Sequence, residues 1–386
     1  MLSIVNQYGV RQLMSYDAGT GLLSTIADHF GRMLSIAYDS SGRLASLTQP
    51  DGRRIAYGYD TSGLLVSVQY PDGSTMGYQY RNGDFSTLMT EKIDGNGVIV
   101  AAWTYSGLGQ ALTSQLAGGI ATAAAVFDGN TTVVTDAAGV TRTRQYVRTA
   151  SNLKRVASVS LTCAGCEPGL SSSVSYDSRG FIASETDLAG LTIQYTRDAS
   201  GLILSKTIGA GTALAETTTY TWHPVYRQPV TITMTNSRVA TFTYDGFGNM
   251  LARTFSINIG TSSQQSRTTS YLYNSMGQLL RVTGPRADGT DITSMSYDTQ
   301  GNLSTVTNPL GQVAQYTQYD AVGRPLQFRD ETGQVFVMTY DNMGRVATRT
   351  IGTRTTSYTY DLGGLLRTVS YPTGDGVTLG YDAAHS

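Results

Sequence analysis

Cys163-Ala164-Gly165-Cys166 is the one arrangement in this chain with the residue types and spacing for metal or redox chemistry. Two thiolates are only half of a closed zinc site, which wants four ligands. No thioredoxin-like strand–helix–strand pattern surrounds the pair. A local disulfide between Cys163 and Cys166, or two idle thiols, is the plainer reading; a metal half-site and a redox pair are the alternatives. A bridge here would suit an oxidising compartment. His29, His223 and His385 stand in separate stretches without a matched Ser or Cys, so a nucleophilic triad has no support. Asp94-Gly95-Asn96-Gly97 opens like a calcium loop but lacks the later acidic ligand, which leaves a turn. No cofactor is expected.

A series of carboxylates is the other candidate for acid–base chemistry. Asp39, Asp60, Asp177, Asp245, Asp298, Asp320, Asp341 and Asp361 follow Tyr38, Tyr59, Tyr176, Tyr244, Tyr297, Tyr319, Tyr340 and Tyr360. Each is followed three residues later by glycine: Gly42, Gly63, Gly180, Gly248, Gly301, Gly323, Gly344 and Gly364. A catalytic pair would not need a glycine at a fixed offset. A turn does, because the aspartate side chain bonds backbone N–H groups two residues on and glycine tolerates positive φ. These residues therefore read as structural, with no catalytic group among them.

The elements between the turns follow from the spacing. From Tyr38 to Tyr59, and again from Tyr319 to Tyr340, the interval is about 21 residues, a period that signals a repeat architecture. Before the turns the residues alternate: Ala240, Phe242 and Tyr244 share one face, Val239, Thr241 and Thr243 the other, and Phe336, Met338 and Tyr340 again fall together. Such runs read as strands. A second turn comes about ten residues later, with Pro at its second position in Gln49-Pro50-Asp51-Gly52, Tyr70-Pro71-Asp72-Gly73 and Asn308-Pro309-Leu310-Gly311. The expected fold is all-β, a continuous antiparallel meander of hairpins in one array over residues 1–386. About 30 strands at roughly 4.8 Å each give a sheet about 150 Å long, which must curl, on the order of one turn of a ring about 50 Å across.

The rest of the chain bounds this reading. Only 14% of the 386 residues are charged and the net charge is −1, which argues against a broad nucleic-acid footprint. No apolar run approaches a membrane span, and the first residues lack the plan of a signal peptide. Arginine often follows the turn glycine, as in Arg32, Arg43, Arg53, Arg324 and Arg345; the expectation is stems over aromatic rings and heads in water. From Tyr80 to Val174 the repeat degrades, with Gly118 to Ala125 readable as a weak strand or a short helix. Arg197 and Trp222 stand where a repeat tyrosine is due. The Ser/Thr/Gln-rich stretch from Gly260 to Ser270 reads as a mobile loop. The pattern starts and stops in mid-repeat, so a piece of something longer, uncapped and prone to self-association, is expected.

These residues resemble the YD-repeat or RHS-repeat family, which includes bacterial Rhs proteins, the shell subunits of insecticidal toxin complexes and animal teneurins. The resemblance rests on Tyr38-Asp39, Gly42-Arg43-Leu44 and their copies, and covers nearly the whole chain. Thr221-Trp222-His223-Pro224 and the stretch Tyr319 to Leu326 look like the bacterial Rhs branch. It implies a curved, spiral, shell-like sheet around a hollow that holds a C-terminal toxin. The implied partners are the remainder of the polypeptide or neighbouring repeats, an enclosed toxin effector, and secretion-system or cell-surface components; nucleic acid is not among them. The implied place is outside a bacterial cell or on its surface. None of the nine prolines follows an aspartate, so the family's Asp-Pro self-cleavage motif is missing, and no core or toxin domain is recognisable. The expected function is thus a non-catalytic wall segment. A teneurin-like adhesion module, with exposed Tyr and Trp binding glycans or a partner, is the alternative.

Overall fold

The computed structural model describes residues 2–382 except 120, 167–168, 236 and 260–262, and leaves aside the side chains of 258, 259, 263 and 264. Among the described residues thirty-four strands, from β1 (Leu2–Val5) to β34 (Gly376–Thr378), form a single sheet. Each strand pairs antiparallel with the one before and the one after it, as β1 does with β2 (Arg11–Tyr16) and β33 (Leu366–Ser370) does with β34. Among the described residues there is no α-helix, and so none long and apolar enough to cross a membrane.

The repeat makes this sheet by alternating two turns. At the first, the Asp39 N–H donates to Arg43 O at 2.9 Å and Gly42 N–H to Asp39 O at 3.0 Å. Gly42 sits at φ 75°. This is a type I turn closed by a glycine bulge, a common hairpin connection. The register slips as the strand enters that turn: in β6 (Arg54–Tyr59) and β7 (Leu65–Gln69), Gly58 faces Ser67 but Tyr59 faces Leu65, so Val66 is extra. Such bulges raise the local twist. The faces divide as the alternation requires. Phe336, Met338 and Tyr340 lie together in β30 (Val335–Tyr340), with Phe328 stacked on Phe336 at 4.6 Å. On the other face Thr339 and Thr348 pair hydroxyl to hydroxyl at 2.7 Å.

Two stretches needed the structure. The degraded region remains in the sheet; Ala117–Gly119 makes a single 3-10 turn, and Ala123–Asp128 is a strand. The expected loop after Gly260 is instead a strand: β23 (Met250–Ile259) and β24 (Ser263–Tyr273) pair from Ile259↔Ser263 to Ala252↔Ser270. Residues 260–262 of that expectation lie outside the described residues. A strand exposed on both faces has no apolar alternation to betray it, so its hydroxyl-rich sequence imitated a loop. Thr254 and Thr268 instead pair across the ladder at 2.8 Å.

A wall one sheet thick has almost no interior. The accessible surface is 22564 Å², against about 15,000 Å² for a compact protein of this mass. Among the described residues fewer than a dozen are buried; Val68, Ala240 and Ala314, all on the aromatic face, are among them. Stability must come from ladders, cross-strand pairs and whatever packs on the faces.

Candidate functional site

The turn carboxylates act as turn formers. Asp60 Oδ1 accepts the N–H groups of Ser62 and Leu64, each at 2.9 Å. Asp39, Asp177, Asp245, Asp298, Asp320 and Asp341 each accept the same two N–H groups in their own turns, and Asp361 accepts that of Leu365. In Asp39 the Arg43 backbone N–H leads in holding the carboxyl below its usual range. Burial opposes this at Asp320 and is outweighed by the Arg324 backbone N–H and guanidinium. Degraded repeats keep the geometry with other atoms. Ser106 Oγ takes the N–H groups of Leu108 and Gln110, and His223 Nδ1 takes those of Val225 and Tyr226. Arg227, at φ 54°, stands there in place of glycine.

The tyrosines form a second system. Tyr59 donates its hydroxyl to Leu44 O at 2.9 Å, Tyr297 to Leu279 O at 2.9 Å, and Tyr340 to Pro325 O at 2.9 Å. Tyr176, Tyr244, Tyr319 and Tyr360 reach back one repeat in the same way. The accepting carbonyl lies beyond the last pair between its strand and the tyrosine's strand; for Leu44 that last pair is Ser46↔Ala56. The hydroxyl thus replaces a ladder bond where the strands splay. This explains the two substituted positions: Trp222 Nε1 donates to Ile203 O at 2.7 Å, and Arg197 Nε to Ile182 O at 3.4 Å. A donor of the right reach is what the position requires.

The arginine after the glycine joins the two systems. Arg43, Arg324 and Arg345 lie over the rings of Tyr59, Tyr340 and Tyr360 at 4.6, 4.4 and 4.3 Å. Their heads are only partly in water, because each is also paired with a carboxylate. Arg43 Nε bonds Asp39 Oδ2 at 2.7 Å and Arg345 Nε bonds Asp341 Oδ2 at 2.7 Å. Each guanidinium ties its own turn to the next repeat.

The sheet meets itself along a seam that sequence periodicity did not announce. Turns on the second edge of the early hairpins fit between first-edge turns some 270 residues later. Tyr8 packs on Phe247 at 4.9 Å and covers Gly277 so closely that a Cβ there would lie 2.6 Å from its ring. Phe30 covers Gly301 in the same manner, and Arg32 reaches Asn302 Oδ1 at 3.4 Å. Arg53 donates to Asn342 O at 3.1 Å, and Asp72 pairs with Arg345 at 3.3 Å. Gly95 lies directly against Leu362 O, and Asn96 beside Gly363. Tyr8, Phe30, Asp51, Asp72 and Asn96 all hold the third position of their turns, just before the glycine. One superhelical turn therefore takes about 23 strands, a contour of about 110 Å at roughly 4.8 Å per strand. The wall is more tightly wound than the single-turn ring expected, and its first and last thirds overlap. Where they overlap, Phe30, Gln49, Asn302, Gln315 and Tyr316 line a cavity of about 1140 Å³.

The remaining candidates are local. Cys163 and Cys166 are joined by a disulfide, their Cα atoms 5.2 Å apart, across a second-edge turn. His29 stacks edge-on with Phe30 at 5.3 Å, and His385 lies outside the described residues. Asp94 Oδ1 accepts the N–H groups of Asn96 and Val98, as a turn aspartate does. No group of three His, Cys, Asp or Glu side chains placed to hold a metal occurs among the described residues.

Comparison with known proteins gives the same architecture. A family model described as RHS Repeat matches residues 38–75, and one described as Teneurin YD-shell matches residues 250–385. No curated protein matches the chain. Among solved structures, the TcdB2–TccC3 crystal structure is similar over 98% of this chain and 23% of that chain, at 17% identity and a TM-score of 0.72. The Photorhabdus luminescens Tc holotoxin pore with a substituted TccC3 is similar over 98% of this chain and 22% of that one, at 16% identity and a TM-score of 0.71. TcdB2–TccC3 without its hypervariable C-terminal region gives 17% identity and a TM-score of 0.71. The chain spans less than a quarter of the length of these structures, and identity this low speaks for a shared fold alone. Two family models match two separate places in one uninterrupted repeat sheet, and in both the chain is similar to RHS/YD-repeat proteins.

Proposed function

We propose that residues 1–386 act as one non-catalytic wall segment of an Rhs-type toxin-delivery protein, part of a β-shell around a C-terminal effector. The seam carries this reading. A sheet that winds past one full turn and docks its own edges, as Asp72 does on Arg345 and Tyr8 on Gly277, is built to separate an inside from an outside. The large open surface supports it too, since a free-standing domain of this mass would expose far less. The turn carboxylates, each spent on backbone N–H groups, favour structure over catalysis. In this reading the wall's partners are the rest of the polypeptide, the effector, and export or cell-surface components, and it works outside a bacterial cell. The Cys163–Cys166 disulfide agrees with that place.

Protease protection tests the proposal. The parent polypeptide containing this wall is digested before and after mild denaturation of the sheet, and the effector region is followed by mass spectrometry. Enclosure predicts an effector that survives until the wall melts. An effector cut as fast in the intact protein as in isolation would overturn it.

A further inference from the structure

Among the described residues nine arginines pair with an aspartate; Arg238, on the strand Arg238–Tyr244, and Arg253 and Arg267, on the long hairpin beside it, do not. In the β23–β24 region opposite residues share a face, and three rows cross it: Phe242–Arg253–Thr269, Ala240–Phe255–Arg267 and Arg238–Ile257–Gln265. The rows lie about 7 Å apart. Arg238, Arg253 and Arg267 are exposed and make no ion pair among the described residues. Phe255 is 46% exposed and Ile257 40% exposed, although both lie on the face that carries the shielded tyrosines elsewhere. Ala240, beside Phe255, is small and buried. The result is a half-exposed aromatic ring rimmed by three guanidiniums that make no ion pair among the described residues.

We propose that this patch is a docking surface for a short acidic polypeptide segment carrying an apolar anchor. Charge complementarity names the occupant. A central aromatic inside a ring of charge is the plan of an interface hot spot, and guanidiniums bind carboxylates bidentately. The surroundings argue against a longer polyanion. Apart from Asp128, the last residue of its strand, every described aspartate lies in a turn or loop. Asp245 sits in the turn that joins the first two strands of the patch, and the net charge of −1 gives no broad basic field to hold a nucleic acid that overruns it. A membrane surface would need a broader apolar area than Phe255 and Ile257 offer. The proposal concerns the face of the wall and stands whether or not the wall encloses an effector.

The full chain is titrated by fluorescence anisotropy with a labelled peptide of about twelve residues, alternating Glu and Leu around one Trp, and with its Lys counterpart. A single-stranded oligonucleotide and phosphatidylserine vesicles serve as further probes. The acidic peptide binds and the basic one does not; Arg253→Gln with Arg267→Gln weakens binding about tenfold or more at unchanged circular dichroism. Arg281→Glu, on the opposite face, leaves it unchanged. Phe255→Ala weakens it at unaltered salt dependence, marking the ring as the apolar anchor. Absence of binding, equal binding of both peptides, indifference to the arginine pair, or tighter capture of the oligonucleotide or the vesicles would each overturn the proposal.

Discussion

Asp72 and Arg345 meet at 3.3 Å although 273 residues separate them. Everywhere else the wall is held between consecutive repeats, by backbone ladders and the side-chain bonds laid over them; along the seam side chains and turn carbonyls join turns some 270 residues apart. Both partners are partly shielded, so the pair should be worth about 0.2–1 kcal/mol, in the range of exposed ion pairs. A double-mutant cycle on Asp72→Ala and Arg345→Ala should return that coupling at low salt and lose most of it at high salt, where charges more than a few ångströms apart are screened. A salt-independent coupling would place the pair deeper than the structure does.

The apolar plugs should matter more. Phe30→Ala removes a ring that fills the space over Gly301. We expect the seam to loosen and hydrogen exchange to rise at 298–302 while the ladders of β26 (Ile292–Tyr297) stay protected. Uniform loss of protection along the sheet would show that the seam and the ladders melt together.

Tyr340→Phe isolates the carbonyl contact. The ring stays under Arg324 and only the hydroxyl bond to Pro325 O is lost. The cost should be about 0.5–1.5 kcal/mol. Tyr358→Phe is the control, since the Tyr358 hydroxyl makes no hydrogen bond among the described residues. Equal denaturation midpoints for the two variants would remove the tyrosine ladder from the account of stability.

These sites show how much was legible beforehand. The Tyr38-Asp39 and Gly42 spacing was enough for strand, turn and meander, because a turn aspartate and a positive-φ glycine work within five residues. Arg197 and Trp222 looked like breaks because residue identity varies while the donated bond does not. His223 and Arg227 hid a complete turn for the same reason. The seam was out of reach: Tyr8 and Gly277 are related by the pitch of the spiral, which no local pattern encodes. The hairpin at β23–β24 was misread because threonine and serine serve both loops and exposed strands.

Gly344 probes the turn itself. Its φ is 85°, and a Cβ there would lie 2.5 Å from an Arg324 guanidinium nitrogen. Gly344→Val should cost about 1–3 kcal/mol in backbone strain alone, seen as a lower urea midpoint. A neutral result would mean that the turn adopts another geometry.

The pH dependence of stability should have two limbs of opposite sign. The carboxyls of Asp39, Asp136, Asp320 and Asp330 are held below the usual value of 3.8. The leading favourable causes are the Arg43 backbone N–H, the Arg142 guanidinium, the Arg324 backbone N–H and the Thr332 hydroxyl, respectively. A depressed folded-state pKa means that the unfolded chain takes up protons first. The stabilisation is therefore complete above about pH 5 and lost as pH falls below 4. The tyrosines do the reverse. Burial raises Tyr244, Tyr319 and Tyr340 above 10.0, and burial with the Glu185 carboxylate pushes Tyr195 up to about 12. Here the unfolded chain loses its protons first, so stability declines as pH climbs through 10 towards 12. Thermal midpoints should form a plateau between about pH 5 and 9 and fall on both sides. Tyr340→Phe and Tyr319→Phe together should flatten the alkaline limb and leave the acid limb unchanged. An alkaline limb identical in that double variant would mean that the hydroxyls are not what the high-pH transition titrates.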